Sequence, residues 1–232
     1  MKNILVIILT LSATLCFSQI DNYKFPKIKP IGKNKNDFIP TDWTILDTIS
    51  GDFNKDSLND IAVVIQTKKP LLFEDKTCFS TEPFYPKILI ILLRQTDKTF
   101  QLSTTATKLF GNCNWDIQGQ EPFEKIEVRR NTLGIKFLTG GTSRNSLSYY
   151  FRLQNNEWYL IGAESFQYWA GHTNGKDAFY NEKINFVTSE KEMYNEDQNR
   201  KKNSYKKTKL KQKPLIKMMN FDENSSIPFS EN

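Results

Sequence analysis

Three observations predict a mainly β fold, an antiparallel meander in a single β-domain. Apolar and polar residues alternate over short segments at close spacing. Asn, Gly and Pro turn signals break those segments, and no strong helical period runs through the chain. Aromatic residues are plentiful, at 17 Phe, 9 Tyr and 4 Trp, which argues for a packed body over a disordered chain.

The first segment concerns export rather than fold. Lys2 is followed by an apolar run from Ile4 to Leu15, and Phe17-Ser18-Gln19 closes it with a small residue. This is the pattern of a secretory signal peptide over 1–18, with cleavage expected between Ser18 and Gln19. The run is short of the roughly 20 apolar residues that an ordinary membrane span needs. The Phe-Ser-Gln ending resembles signal peptides of Bacteroidetes. Cys16 raises a lipid anchor, but Leu15 suits the position before a lipidated cysteine poorly, so a periplasmic or secreted location is favoured. No later segment is long and apolar enough to span a membrane.

Residues 19–41 read as an extended N-terminal arm, because Tyr23–Pro40 holds three prolines and many lysines. A single β-rich domain is expected over 42–223. Trp43–Ile49 is its first strand, strand-like and largely buried, and the β-branched run Ile61–Ile65 is a central one. A long connection, Thr67–Lys87, carries Cys78. Ile88–Leu93 and Phe100–Thr105 are expected to pair as a hairpin. An irregular stretch around Gly111–Pro122 carries Cys113. Strands then recur at Lys125–Arg130, Leu133–Leu138, Leu147–Leu153 and Glu157–Tyr168. The breaks between them fall at Asn131-Thr132, Gly140-Gly141 and Asn155-Asn156. Asn tolerates positive φ, so Asn155-Asn156 suits a tight hairpin. Thr188–Arg200 is the best candidate for a short helix. Lys206–Phe221 reads as a last strand, and 224–232 as a loose tail.

Charge and cysteines bound the partners. The formal net charge is +6. Without Lys2 and the nine basic residues of Arg200–Lys217, it becomes −4. The basic character therefore belongs to one segment. A nucleic acid is an unsuitable partner for an exported protein, and lysines on a solvated edge strand, which discourage edge-to-edge pairing, account for the segment. Cys78 and Cys113 remain after signal removal, an even count in an oxidising compartment, so a disulfide between them is plausible. Two separate free thiols are the alternative.

The segment Gly51-Asp52-Phe53-Asn54-Lys55-Asp56-Ser57-Leu58-Asn59-Asp60 carries chemistry. Oxygen-bearing side chains stand at loop positions one, three, five and nine. Calcium is a hard cation that takes about six to eight oxygens at roughly 2.3–2.6 Å. Asp52, Asn54 and Asp56 supply side chains in this reading. Leu58 supplies its carbonyl, Asp60 closes the site, and water fills any vacancy. Three carboxylates need a cation to offset their repulsion. A solvated Asp/Asn turn without metal is the alternative.

The same residues, with Ile61-Ala62-Val63-Val64 behind them, resemble the calcium loop of FG-GAP or VCBS repeats, as in integrin α-subunit propellers. That resemblance implies a Ca2+ ion on Asp52, Asn54, Asp56, Leu58 and Asp60. Ser57 departs from the family's usual Gly, which implies some backbone cost. A propeller needs several blades of roughly 40 to 45 residues. The loop occurs once, so one strand–calcium loop–strand unit is expected, not a full propeller. The chain also resembles small exported bacterial proteins with a lone repeat of this kind.

Other candidates have simpler readings. His172, in Gly171–Gly175, lacks a partner at recognisable spacing, and no histidine-containing zinc pattern occurs. Asp116, Glu121, Glu124 and Glu164 could furnish a carboxylate pair for glycoside hydrolysis, but acids this common are ordinarily surface charge. No nucleophile elbow or phosphate-binding loop is present. Trp158, Tyr159, Phe166, Tyr168 and Trp169 suit either a sugar- or peptide-binding cluster or a core strand. The expectation is a non-enzymatic exported binding module with a protein or glycan partner. A secreted hydrolase acting on glycans is the alternative.

Overall fold

The computed structural model describes residues 23–71, 83–110, 122–173, 176–197 and 203–222. The signal segment, Cys78, Cys113, Asp116, Glu121 and the tail 224–232 lie outside the described residues, and the expected disulfide with them.

Twelve strands are described: β1 Ile31–Gly32, β2 Trp43–Gly51, β3 Asp60–Thr67, β4 Lys87–Arg94, β5 Phe100–Ala106, β6 Phe123–Arg129, β7 Thr132–Thr139, β8 Arg144–Gln154, β9 Glu157–Thr173, β10 Lys176–Asn185, β11 Glu190–Asp197 and β12 Ser204–Lys209. They form two antiparallel sheets, one ordered β1-β5-β4-β3-β2 and the other β12-β11-β10-β9-β8-β7-β6. Each is a meander of sequence neighbours, apart from β1 on the smaller sheet, and neither closes into a barrel or a propeller.

The two sheets pack face to face. Val64, Leu89 and Ile91 of the smaller sheet share one core with Leu133, Ile135, Tyr149, Phe151 and Leu160 of the larger. A second core lies on the far side of the smaller sheet, where Ile28 and Phe38 cover Val63, Ile65, Ile88 and Ile90. Both faces of β3 and β4 are therefore buried, and a strand buried on both faces must be apolar at nearly every position. The covering segment is largely extended, as its prolines predict. It also holds β1 and a 3-10 turn, Lys35–Phe38, closed by an Asn34/Asp37 capping box.

Four expectations change. Trp43 is buried, but most of β2 is half-exposed, because β2 is an edge strand. The described part of the Thr188–Arg200 segment, 188–197, is not helical. Glu190–Asp197 is strand β11, paired on both sides by β10 and β12. β10 went unanticipated beside it. The last strand is short: β12 ends at Lys209, and Pro214 lies in an irregular run that leads to a 3-10 turn, Met218–Asn220. That run returns to the body, where Met218 and Phe221 plug the main core.

Candidate functional site

The predicted calcium loop joins β2 to β3 and is held by its own polar groups. Lys55 (φ 65°) and Ser57 (φ 68°) adopt left-handed backbone, so the chain turns sharply here. That turn aims backbone N–H groups inward. The Asp52 carboxylate accepts from the N–H of Asp56 at 3.1 Å and of Ser57 at 3.0 Å. Asn54 Oδ1 accepts from the Asp56 N–H at 3.1 Å, and its amide donates to Asp56 Oδ2 at 2.7 Å. Asp56 Oδ1 accepts from the Leu58 N–H at 2.8 Å. Asp52, Asn54 and Asp56 are thus brought together. Leu58 is half-buried beside them.

Asp60 behaves differently. Its exposure is 0%, and each carboxyl oxygen accepts one backbone N–H, from Phe53 and from Arg94, both at 2.8 Å. Burial pushes its pKa up from the ordinary 3.8, the two N–H bonds pull it back, and the nearby Asp56 carboxylate raises it further. Among the described residues, Asp52, Asp56 and Asp60 form no ion pair. No group of three or more His, Cys, Asp or Glu side chains converges among the described residues. The loop's side-chain acceptors are mixed, carboxylate and amide oxygens, and each keeps a lone pair beyond the bond it accepts.

The loop sits on the seam between the sheets. Phe53 is buried and meets Trp158 of β9 edge-on at 5.4 Å between ring centroids. The Asn131 amide, from the β6–β7 turn, donates to the Asp52 carbonyl. Asp47, at the bulge in β2, accepts the Ile126 N–H of β6 at 2.8 Å. A Cβ on Gly51 would lie 2.9 Å from Val128 Cγ1, so the motif's glycine permits close approach of the second sheet. Asn131, Asp47 and Val128 belong to this site, yet no local pattern marks them, because their partners lie far along the chain.

The outer face of the larger sheet carries a second set of candidates. A cavity of about 550 Å³ is lined by Lys136, Arg144, Tyr150, Glu164, Phe166 and Tyr168, among others. A neighbouring one of about 390 Å³ shares Arg129 and Tyr150 and adds Arg130 and Arg152. Strand alternation sorts the predicted aromatic cluster. Trp158 points into the core and donates from Nε1 to Ser103 Oγ at 3.0 Å, while Phe166 and Tyr168 face the outer cavity. Trp158 therefore belongs to the core, while Phe166 and Tyr168 lie on the outer face.

The proposed carboxylate pair survives in part. Glu124 and Glu164 line the same cavity, but each already pairs with a lysine, Lys136 at 3.0 Å and Lys183 at 3.1 Å. His172 lies near the end of β9. β12, carrying Lys206, Lys207 and Lys209 of the basic segment, is an edge strand of the larger sheet, and Lys207 pairs with Glu190 and Glu192. No helix among the described residues is long and apolar enough to cross a membrane. Comparison with protein-family models, with curated proteins and with solved structures gives no match.

Proposed function

We propose that this chain is an exported, non-enzymatic binding module whose Asp52–Asp60 loop is held in shape by one calcium ion. The carrying observation is Asp60, a fully buried carboxyl that lies near Asp56 and, among the described residues, has only backbone N–H groups to stabilise its charge. Asp52, Asn54 and Asp56 would hold the ion with their side chains, Leu58 with its carbonyl, and Asp60 with its remaining lone pairs. Calcium supplies a fixed double positive charge that offsets the repulsion among the three carboxylates. The chain's own part is positional. Phe53 and Asn131 join the loop to the larger sheet, so ordering the loop also orders the seam.

The ion pairs on Glu124 and Glu164 favour binding over hydrolysis. A glycosidase needs one carboxyl free to give a proton and another free to attack or to activate water. Here both are engaged by ammonium groups.

The test is thermal. After chelation, millimolar calcium should raise the melting temperature, because the ion binds only the folded state. Asp56→Ala should abolish the rise. Magnesium should do less, since it demands a tighter octahedral shell. An unchanged melting temperature in calcium contradicts the proposal.

A further inference from the structure

We infer that the outer face of the larger sheet is a binding groove for an acidic polysaccharide, with sugar rings stacked on Tyr150 and Phe166 and anionic substituents held by Arg130 and Arg152. The inference rests on the reading of the chain as a binding module, and it names the ligand class.

The charge balance of the groove selects the ligand's sign. Its three carboxylates each have a cationic partner: Glu124 has Lys136 at 3.0 Å, Glu127 has Arg129 at 3.0 Å, and Glu164 has Lys183, just outside the groove, at 3.1 Å. Arg130, Arg144 and Arg152 form no ion pair among the described residues and line the two adjoining cavities. The surplus is therefore cationic, although the body outside the basic segment is acidic. Guanidinium groups are weakly hydrated and present planar pairs of N–H donors, which match carboxylate and sulfate oxygens.

The aromatic component selects a ring-bearing ligand over a free anion. Tyr150 stands on β8 between Gly134 of β7 and Gly162 of β9, its register partners on either side. A Cβ on Gly134 would lie 3.1 Å from the Tyr150 ring, and one on Gly162 would lie 3.8 Å from it. The ring thus fills the space both glycines leave open, and the sheet fixes its place. Its hydroxyl reaches Glu164 at 3.4 Å, and burial, with the Glu164 charge, raises its pKa, so the phenol stays neutral. Phe166 continues the same face beside Phe179, with centroids 6.1 Å apart. A rigid, half-buried aromatic surface beside polar groups is what a sugar ring needs: C–H groups meet the ring, and hydroxyls meet the amide and hydroxyl groups around it. The groove's lining runs across neighbouring strands from Glu124 of β6 to Asn181 of β10, a span that suits a polymer.

The test uses the full chain and three polymers of one backbone: dextran, carboxymethyl-dextran and dextran sulfate. Affinity electrophoresis and titration calorimetry should show binding to at least one charged polymer, with dextran weaker by about tenfold or more. The two charged polymers distinguish a carboxylate from a sulfate ligand. Arg130→Gln and Arg152→Gln should each weaken binding by about tenfold and flatten its salt dependence. Tyr150→Phe should bind within about twofold of wild type, and Tyr150→Ala should lose about tenfold. If Tyr150→Ala does not fold, Phe166→Ala carries the same arm. The inference is overturned by equal affinity for dextran, by indifference to both arginine substitutions, or by no binding to any polymer. It is also overturned if free sulfate or acetate binds as tightly as the matching polymer, or if duplex DNA displaces the polymer at equal charge. The calcium-induced rise in melting temperature reads the loop separately. If the rise persists without polymer binding, only this inference fails; if polymer binding persists without the rise, only the calcium reading fails.

Discussion

The two sheets share a core but spend their other faces differently. The smaller sheet is covered on both sides, by the larger sheet and by residues 23–39. Its central strands β3 and β4 are accordingly runs of Ile, Val and Leu. Among the described residues the larger sheet is covered on one side only, and its strands alternate. Tyr149 and Phe151 are buried, while Tyr150 and Arg152 face outward. Burial on both faces leaves no room for a ligand. The smaller sheet is thus the support, and the larger sheet presents a surface. The Asp52–Asp60 loop belongs to the first but is seated against the second.

That contrast can be broken by substitution. The largest effect is expected where a buried charge loses its partner. Lys191 and Glu182 are both buried, 2.6 Å apart, and the Tyr180 hydroxyl donates to Glu182. Burial, then the Glu182 hydrogen bond, pushes the Tyr180 pKa up to about 12. Lys191→Ala should cost about 3–5 kcal/mol in urea unfolding, because it strands the carboxylate. Lys191→Met with Glu182→Leu should recover most of that loss.

Core truncation comes next. Ile90→Ala, on the doubly covered sheet, should cost about 2–5 kcal/mol. Phe166→Ala, on the open face, should cost much less and change binding instead. Equal costs at the two positions would remove the distinction between support and surface.

Calcium should stabilise by about 2.7 kcal/mol at a hundredfold excess over its Kd. For a domain of this size that corresponds to about 5–10 °C in melting temperature. The gain should depend on pH in a definite direction. Asp60's folded pKa is raised, so in the metal-free protein its contribution favours folding at low pH and is lost as pH rises through that pKa. Calcium needs the ionised carboxylate. Its stabilisation should therefore be largest at neutral pH and shrink on acidification toward about pH 4, near the unfolded carboxylate pKa. Melting curves with and without calcium across that window check the sign.

The smallest effect is expected at Ser57, whose left-handed φ costs about 1 kcal/mol. Ser57→Gly removes that cost but adds unfolded-state entropy of similar size. Stability should change by less than about 1 kcal/mol, with calcium affinity equal to or tighter than wild type.

Most of the fold was legible because most strands carry a pattern. β3 and β4 announce themselves as apolar runs. Asn155-Asn156 marks its hairpin correctly, with φ of 50° and 62°. The turn before β7 lies one residue earlier than its Asn131-Thr132 signal, since the positive-φ pair is Arg130-Asn131. β10 and β11 were missed because their stability lies in pairing rather than in periodicity. Glu190–Asp197 alternates charges on both faces, and its Glu, Lys and Met residues favour helix when read alone. Its two strand neighbours override that preference. The loop's spacing was legible because its donors are local. Its seating by Asn131 and Asp47 was not, nor was the meeting of Arg130, Arg152 and Tyr150, which needs three strands in register.

The central claim is that the Asp52–Asp60 loop is a metal-held brace at the seam of the two sheets. Calorimetric titration of calcium into chelated protein, beside Asp56→Ala, tests it most directly. The account predicts a saturating one-to-one isotherm for wild type and none for the variant. A flat trace for wild type at millimolar calcium, or an unchanged isotherm in Asp56→Ala, would contradict it.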